Sequence, residues 1–199
     1  MQPAYYENFD EIIKKIWLML NDAVTNRSSQ FRIPVFICGT QNDFDGRIVV
    51  LRKSDQDNNL IQFHSDIRSN KIEKLKSNNR ASLIFYDKEE KIQVRTKVEC
   101  TVNHKNEVTE QSWLKTAHIS RKCYLVDNGP GTESNEPTSG LKPEKDNFDY
   151  TMEESEKGYE NFTVIQCKIK SFEWLYLAAK GHRRAKFDLE NDKDTWLVP

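Results

Sequence analysis

The chain has 199 residues, enough for one domain that buries its own core without disulfides or metals. Its 30 Lys and Arg side chains against 31 Asp and Glu give a net charge of −1, which argues against a nucleic-acid-binding or membrane-surface protein. No run approaches the roughly 18 apolar residues of a membrane span, and no secretory signal precedes the first helix, so we expect a cytoplasmic protein.

Apolar residues at helical spacing predict an amphipathic first helix over residues 7–26. After a change of period, β-branched and aromatic segments separated by polar turns predict strands. These strands cover 33–38, 47–52, 60–64, 80–86, 92–100, 161–178 and part of 184–199, with a turn at 42–46. A short helix with Ile67, Ile72 and Leu75 on one side follows the third strand. Another helix is predicted over 108–119, with Trp113, Leu114 and Ala117 facing inward.

Residues 127–158 are rich in Gly, Pro, Ser, Asn and Glu, which predicts a long loop or lid. No internal repeat is present, so residues 1–199 are expected to form one domain. Its six to seven short antiparallel strands, with few helices, favour a mainly β fold closed into a barrel.

The four cysteines are scattered and include no CxxC pair, so the sequence predicts neither a zinc site nor a disulfide framework. Cys38 and Cys167 lie in apolar runs and are expected to be reduced thiols in the core. The four histidines do not cluster in sequence, and no metal is predicted.

The motifs of serine hydrolases, zinc proteases and P-loop proteins do not occur, so no catalytic residue is predicted. Cations and hydroxyls instead stand at the ends of apolar segments: Arg47 and Arg52 around one strand, Ser65 and Lys71 around a helix start. Such groups suit a phosphate, and apolar walls suit a flat heteroaromatic ring. The alternative is that these charges are solvated, as charges at strand ends normally are.

The order and spacing of several segments resemble the pyridoxamine 5′-phosphate oxidase family. The segments are Arg47–Arg52 (RIVVLR), Phe63–Ser65, Ser69–Lys71, Asn79–Phe85 and Gln93–Val94, then 172–175, 182–187, Trp196 and Pro199. The resemblance covers about residues 30–100 well and 160–199 loosely. It implies a six-to-seven-stranded antiparallel split β-barrel that binds FMN, active as a homodimer with two flavins at the subunit interface.

The resemblance also implies roles for residues of this chain. Arg47, Ser65 and Lys71 would face the FMN phosphate, the 49–51 backbone would follow the ring, and Gln93 would donate to the polar edge of the ring. The other subunit would contribute Lys186 and Ser139. The full set of implied FMN-binding residues is Arg47, Ile48, Val49, Val50, Leu51, Arg52, His64, Ser65, Asn70, Lys71, Gln93, Ser139, Trp174, Leu175 and Lys186.

Some positions depart from the family pattern. Leu175 stands where the family has an aromatic residue, although a shift of one residue would bring Trp174 there, and Asn70 replaces an arginine. The substrate-binding residues implied by the resemblance are Arg52, Arg121, His182 and Arg184, the last two in reversed order. The FMN site is therefore expected to be mostly retained and the vitamin B6 site altered, as in a divergent branch of the family.

Three functions remain open from the sequence. The first is an FMN-dependent oxidoreductase acting on an unidentified small molecule. The second is a true pyridoxamine or pyridoxine 5′-phosphate oxidase that uses the four substrate-binding residues. The third is a binding protein without turnover for a flavin, a deazaflavin or haem, with His64, His104 and His118 as candidate haem ligands.

Overall fold

One antiparallel sheet organises residues 3–40, 43–142 and 150–199, which the computed structural model describes. The strands are β1 Val35–Gly39, β2 Phe44–Ile48, β3 Leu51–Asp55, β4 Leu60–Asp66, β5 Arg80–Asp87, β6 Ile92–Asn103, β7 Phe162–Tyr176, β8 Arg183–Asp188 and β9 Lys193–Leu197. The α-helices are α1 Phe9–Thr25, α2 Asn70–Ser77, α3 Glu107–Leu114, α4 His118–Arg121 and α5 Met152–Ser155.

The strand order makes the sheet curl on itself. Neighbours run β2-β1-β5-β6-β7-β4-β3, and the hairpin β8–β9 continues from β7. The two outermost strands, β2 and β3, are consecutive in the chain and are separated only by Val49 and Val50. Because so short a link holds the two ends of the sheet together, the sheet forms the split barrel that the sequence predicts.

Helix α1 packs its apolar stripe on the barrel core. The Asn8 side chain caps the helix by accepting from the Glu11 N–H at 3.0 Å. Ile12, Ile16 and Leu20 on the inner stripe are fully buried. Apolar residues spaced three and four apart thus produce both the helix and its packing face, as predicted.

The strand prediction is right in outline and wrong in three details. Residues 44–46, predicted as a turn, belong to β2, and the predicted strand 47–52 divides at Val49–Val50 into the end of β2 and the start of β3. The last segment forms two strands, β8 and β9. The described residues therefore form nine strands, more than the six to seven expected, because one predicted strand is divided between β2 and β3 and the last segment forms a hairpin.

The helix predicted over 108–119 is two helices, α3 and α4. Trp113 is buried, as expected, and packs with Phe162 and Val164 in a small cluster apart from the main core. The inward placement of Leu114 and Ala117 is wrong, since both are exposed and Leu114 is 79% accessible. Of the α3 side chains, Trp113 is buried in this cluster and Val108 packs against it partly buried.

The predicted loop 127–158 is partly helical. Residues 127–142 contain neither helix nor strand, whereas α5 begins at Met152 behind a capping box of Thr151 and Glu154. Cys38 and Cys167 are buried free thiols, as predicted. Within the described ranges, no helix has the length and apolar character needed to cross a membrane.

Candidate functional site

A cavity of about 310 Å³ lies where β2, β3, β4 and the start of α2 meet. Its wall brings together many of the residues implied by the sequence, although they come from three strands and a helix. The lining residues are Arg47, Ile48, Val49, Val50, Arg52, His64, Ser65, Asp66, Lys71, Cys123, Tyr124 and Pro130. We call this space the cofactor cavity.

A cluster of hydroxyl and cationic groups stands at one end of the cofactor cavity. The Lys71 ammonium donates to Ser65 Oγ and to Ser69 Oγ, both at 2.7 Å. The Arg47 Nη1 donates to Ser69 Oγ at 3.3 Å. We call Arg47, Ser65, Ser69 and Lys71 the phosphate cluster, because converging cations and hydroxyls at a helix start suit a phosphate.

Ser69 was missing from the sequence prediction. It occupies the N-cap position of α2, where a serine normally accepts from the first turn of the helix. Its side chain makes no such capping hydrogen bond and instead accepts from Lys71 and Arg47. The Ser-x-Lys spacing was visible in the sequence, but a serine directly before a helix normally indicates an N-cap residue.

Two guanidinium groups carry an N–H donor that remains to be satisfied. The Nε atoms of Arg47 and Arg52 are buried and have no acceptor among the described residues. Buried donors without acceptors are rare in native proteins, so each is a reason to look for a ligand. Asp66 also lines the cavity, but both of its carboxylate oxygens are bound by Arg68. The residues present therefore fit an acceptor-rich anion.

The protonation of two cavity residues is unusual. Burial, reinforced by the nearby Arg47 charge, lowers the pKa of Lys71 to about 8. Burial, followed by the charge of Arg52, lowers the pKa of His64 to about 3. The His64 imidazole is thus neutral at pH 7, and its ring contacts Phe162 edge-on at 4.7 Å between centroids.

The link between β2 and β3 contributes backbone rather than charge. Val49 and Val50 line the cavity, and the Val49 N–H donates to the Pro34 carbonyl at 3.0 Å. Leu51 starts β3 with its side chain in the core, so only its backbone adjoins the link. This arrangement presents apolar side chains and peptide edges to a flat ligand.

Several predicted FMN-binding residues do not line the cofactor cavity. Asn70 is exposed as the first residue of α2. Ser139 is exposed in the 127–142 segment, where its Oγ accepts from the Leu141 N–H at 3.2 Å. Gln93, Leu175 and Lys186 lie on strands β6, β7 and β8.

Strand register places Gln93, Leu175 and Lys186 on one outward face of the sheet. Gln93 pairs with Leu175, and the adjacent cross-strand row joins Glu173 to Lys186. Trp174 falls on the opposite face, fully buried against Tyr6. Leu175, not Trp174, therefore shares the face of Gln93.

The same face carries exposed apolar side chains. A continuous row of partners across the sheet runs Ile48, Val35, Ile84, Arg95, Glu173, Lys186. Ile48 and Tyr86 on this face are 59% and 46% accessible. Since Ile48 also lines the cofactor cavity, the cavity opens onto this outer face.

The four implied substrate residues are not brought together within one chain. Arg121 is buried. It donates to the Trp113 and Thr116 carbonyls and forms an ion pair with Glu156. His182 and Arg184 line a separate cavity of about 530 Å³ beside residues 196–199. Of the four, Arg52 alone lines the cofactor cavity, because β8 pairs with residues 171–176 of β7, whereas β4 and its neighbour β3 adjoin residues 162–168.

The candidate haem ligands are also dispersed. His64 is on β4, the His104 Nε2 lies 3.0 Å from the Glu160 carbonyl oxygen, and the His118 ring packs on Tyr150. Among the described residues, no group of three or more metal-ligating side chains forms a cluster.

Comparison with known families gives the context of the cofactor cavity. Residues 15–104 match the model of the family described as pyridoxamine 5′-phosphate oxidase, FMN-binding domain. The match extends from within α1 to just past the end of β6. The matched range contains every member of the phosphate cluster. Among curated proteins, none matches the sequence.

Solved structures share the fold of this chain. A pyridoxamine 5′-phosphate oxidase-related, FMN binding protein from Nostoc punctiforme PCC 73102 is 15% identical, with a TM-score of 0.71 and both chains covered in full (100%). PhzG from Burkholderia lata 383, in complex with tetrahydrophenazine-1-carboxylic acid, is 14% identical, with a TM-score of 0.72 over 100% of this chain and 98% of PhzG. Campylobacter jejuni ChuZ is 12% identical, with a TM-score of 0.57 over 98% and 65% of the two chains.

Proposed function

We propose that this protein is an FMN-dependent oxidoreductase for a small molecule, and that a second copy of the chain completes its cofactor site. The observation that carries the proposal is the phosphate cluster, placed at one end of the cofactor cavity within the matched family domain. Two cations, joined by hydrogen bonds to two serine hydroxyls, form a site that can donate several hydrogen bonds to a phosphate dianion.

Different residues of the cavity would bind the phosphate and the ring of FMN. Lys71 and Arg47 supply positive charge for the phosphate, and Ser65 and Ser69 supply hydroxyl donors. The 49–50 link supplies an apolar wall for the ring. When bound, FMN supplies the hydride and electron chemistry, while the protein contributes position and electrostatics.

A second copy is proposed because the cavity opens onto an apolar surface. Ile48 is exposed at the cavity mouth, and the row across the sheet continues through Val35 and Ile84. A copy packed on this face would cover these side chains and bring Gln93 and Lys186 into an interface beside the cavity. This is the homodimer that the family resemblance implies. The four free thiols suit a reducing compartment, and we propose the cytoplasm.

The proposal does not extend to pyridoxamine 5′-phosphate as the substrate. Arg121 is committed to Trp113, Thr116 and Glu156, and Arg184 pairs with Glu173 at 2.6 Å. A substrate that needed these side chains would have to compete with contacts already made.

The test is the cofactor content of the purified protein, followed by titration with FMN. We expect a visible flavin spectrum, FMN in the mass spectrum and one FMN per chain. Lys71→Met should weaken FMN binding by roughly ten- to a hundredfold, since a hydrogen bond to a charged group contributes roughly 1.5–3 kcal/mol. Lys76→Met, on the exposed side of the same helix, is the matched control and should bind FMN normally.

Reduction of the bound flavin distinguishes an enzyme from a carrier. We expect a small-molecule donor to bleach the flavin absorbance and air to restore it over repeated cycles. A colourless protein that does not take up added FMN would refute the cofactor assignment. A loaded protein that no donor reduces would support the carrier function instead.

A further inference from the structure

A carboxylate, that of Asp45, lies directly beside the phosphate cluster. Asp45 is two residues before Arg47 on β2, and because side chains alternate along a strand, the two point to the same side. Their cross-strand partners on β1, Cys38 and Phe36, are both buried, so this is the inner side of the strand. The Arg47 Nη2 forms an ion pair with the Asp45 carboxylate. Strand β2 therefore supplies both a cation of the phosphate cluster and the anion that binds it.

The Arg47 guanidinium is held from two sides. Its Nη2 pairs with Asp45 on the same strand, and its Nη1 donates to Ser69 Oγ before α2, 3.3 Å away. Its Nε is buried and has no acceptor among the described residues. Because a guanidinium is planar, contacts at both Nη atoms also fix the direction of the Nε–H. Since Arg47 lines the cofactor cavity, this orientation decides which donors a phosphate in the cavity meets.

Lys74 binds Asp45 from the helix side. Its ammonium lies 2.8 Å from Asp43 Oδ2 and 3.9 Å from Asp45 Oδ2. Lys74 is buried, and it stands three residues after Lys71 on α2, so both lysines are on one side of the helix. Asp45 thus lies between two cations, Arg47 and Lys74. The three cations and two carboxylates of this group keep a net positive charge for a bound anion.

We propose that Asp45 is a positioning residue for the phosphate end of the FMN site, which holds the Arg47 guanidinium in the orientation that meets the phosphate. The inference rests on the proposed function, because it assigns Asp45 a role in the same cofactor site. Hydrogen bonds from a guanidinium to a phosphate depend on geometry, so a freely rotating Arg47 contributes less to binding. An Arg47 that is ordered before FMN arrives also loses less conformational entropy on binding.

Positioning and charge repulsion predict opposite effects of removing this carboxylate. If Asp45 acted only as a negative charge near the phosphate, Asp45→Ala would strengthen FMN binding. If Asp45 holds Arg47 in place, Asp45→Ala weakens it. The charge of Asp45 is already paired with Arg47 and Lys74, so its repulsion of the phosphate is small and the loss of orientation dominates.

The first experiment compares FMN with riboflavin, which lacks the phosphate, in fluorescence titrations of the flavin-free protein. We expect Asp45→Ala to weaken FMN binding roughly five- to tenfold, the size of one net hydrogen bond, and to leave riboflavin binding unchanged. Asp43→Ala is the matched control, since it removes a neighbouring carboxylate whose described partner is Lys74. In the Arg47→Met background, Asp45→Ala should have no further effect, because Asp45 acts through Arg47.

The second experiment measures the orientation of Arg47 without FMN. The Arg47 Nε–H is buried, so its proton should exchange slowly with water and give a separate NMR signal from isotope-labelled arginine side chains. The signal is assigned by its loss in Arg47→Met. We expect it to persist in Asp43→Ala and to broaden or disappear in Asp45→Ala, where the guanidinium can rotate.

A loss of affinity confined to FMN in Asp45→Ala, and absent from Asp43→Ala and from the Arg47→Met background, supports the inference. Unchanged or stronger FMN binding by Asp45→Ala overturns it, and so does equal weakening of FMN and riboflavin, which would indicate a general structural role.

A wild type that binds neither flavin refutes the proposed function, and the NMR signal then decides the inference by itself. Loss of the Arg47 signal in Asp45→Ala alone supports positioning. A signal that is the same in the wild type and in Asp45→Ala, or that is absent from the wild type, overturns it.

Discussion

Lys71 is held in a position that disfavours its own charge. It is 8% accessible, its ammonium is bound only by serine hydroxyls in the described structure, and the Arg47 guanidinium is nearby. Burial and the Arg47 charge together lower its pKa to about 8. A dianionic phosphate reverses this effect, because its negative charge stabilises the protonated lysine.

FMN affinity should therefore decrease with rising pH. The free protein loses the Lys71 proton near pH 8, whereas the complex retains it, so binding above that pH requires uptake of a proton. We expect the Kd for FMN to increase by up to about tenfold per pH unit between pH 8 and 9.5. Fluorescence titration from pH 7 upward measures this slope. Lys71→Met should bind more weakly at pH 7 and show no slope; parallel profiles for the two proteins would contradict the role of Lys71.

His64 should make the protein sensitive to acid. Its pKa of about 3 in the folded chain is below the ordinary value of 6.5, so between these values only the unfolded chain is protonated. Stability therefore decreases as the pH falls through this window, by roughly 2 kcal/mol between pH 7 and pH 5. Urea unfolding at the two pH values measures the loss. His64→Gln should lose less stability than the wild type, and an equal loss would be inconsistent with a neutral buried His64.

At the scale of elements, Arg121 connects the helices that carry part of the cavity wall. Its guanidinium binds the Trp113 and Thr116 carbonyls at the end of α3 and pairs with Glu156 after α5, and it stacks 4.5 Å from the Trp113 ring. The next residues, Cys123 and Tyr124, line the cofactor cavity. Arg121 thus supports the segment that carries this part of the wall.

Replacing Arg121 by Met should destabilise the protein by roughly 2–4 kcal/mol, since two backbone carbonyls lose buried donors. FMN binding should weaken as well, because residues 123–124 lose their support. Thermal unfolding and an FMN titration measure the two effects, with Lys88→Met as an exposed control. Normal stability of Arg121→Met would mean that the buried network contributes little.

The break at Val49–Val50 also belongs to this scale. A β-branched run between two arginines predicts one continuous strand, yet it forms the end of β2 and the start of β3. Closure of the barrel requires the chain to leave one edge of the sheet and enter the other at this point. Local propensity cannot anticipate such a break, because the requirement comes from the strand order of the whole sheet.

At the scale of the whole molecule, the outer sheet face should be the surface on which two copies meet. Ile84 lies in the middle of the row from Ile48 to Lys186 and is half-buried in one chain. Ile84→Arg should give a folded monomer, because it would bury a further positive charge between the two copies, beside Val35 and Arg95. Its FMN affinity should fall with loss of the second copy.

Sedimentation velocity combined with flavin absorbance tests this expectation at several protein concentrations. Leu18→Arg, an equally drastic change at an exposed position of α1, should leave both the dimer and the cofactor intact. A wild-type protein that sediments as a monomer with FMN bound would refute the shared site.

The sequence by itself determined most of the barrel strands, the first helix and the grouping of Arg47, Ser65 and Lys71. These residues are close in the chain, and the strands and turn between Arg47 and Lys71 bring them together wherever the rest of the chain lies. Ser69 escaped notice only because a serine before a helix is normally a cap.

Only the tertiary structure decided the contribution of distant residues. A shift of one residue in the pairing of β7 would exchange the faces of Trp174 and Leu175. The observed pairing of β7 with β6 and β8 decides which of the two is buried. The partner of Arg121, Glu156, is 35 residues away, so its buried role was invisible to local patterns. Register and long-range packing are properties of the assembled sheet, which is why spacing along the chain does not reveal them.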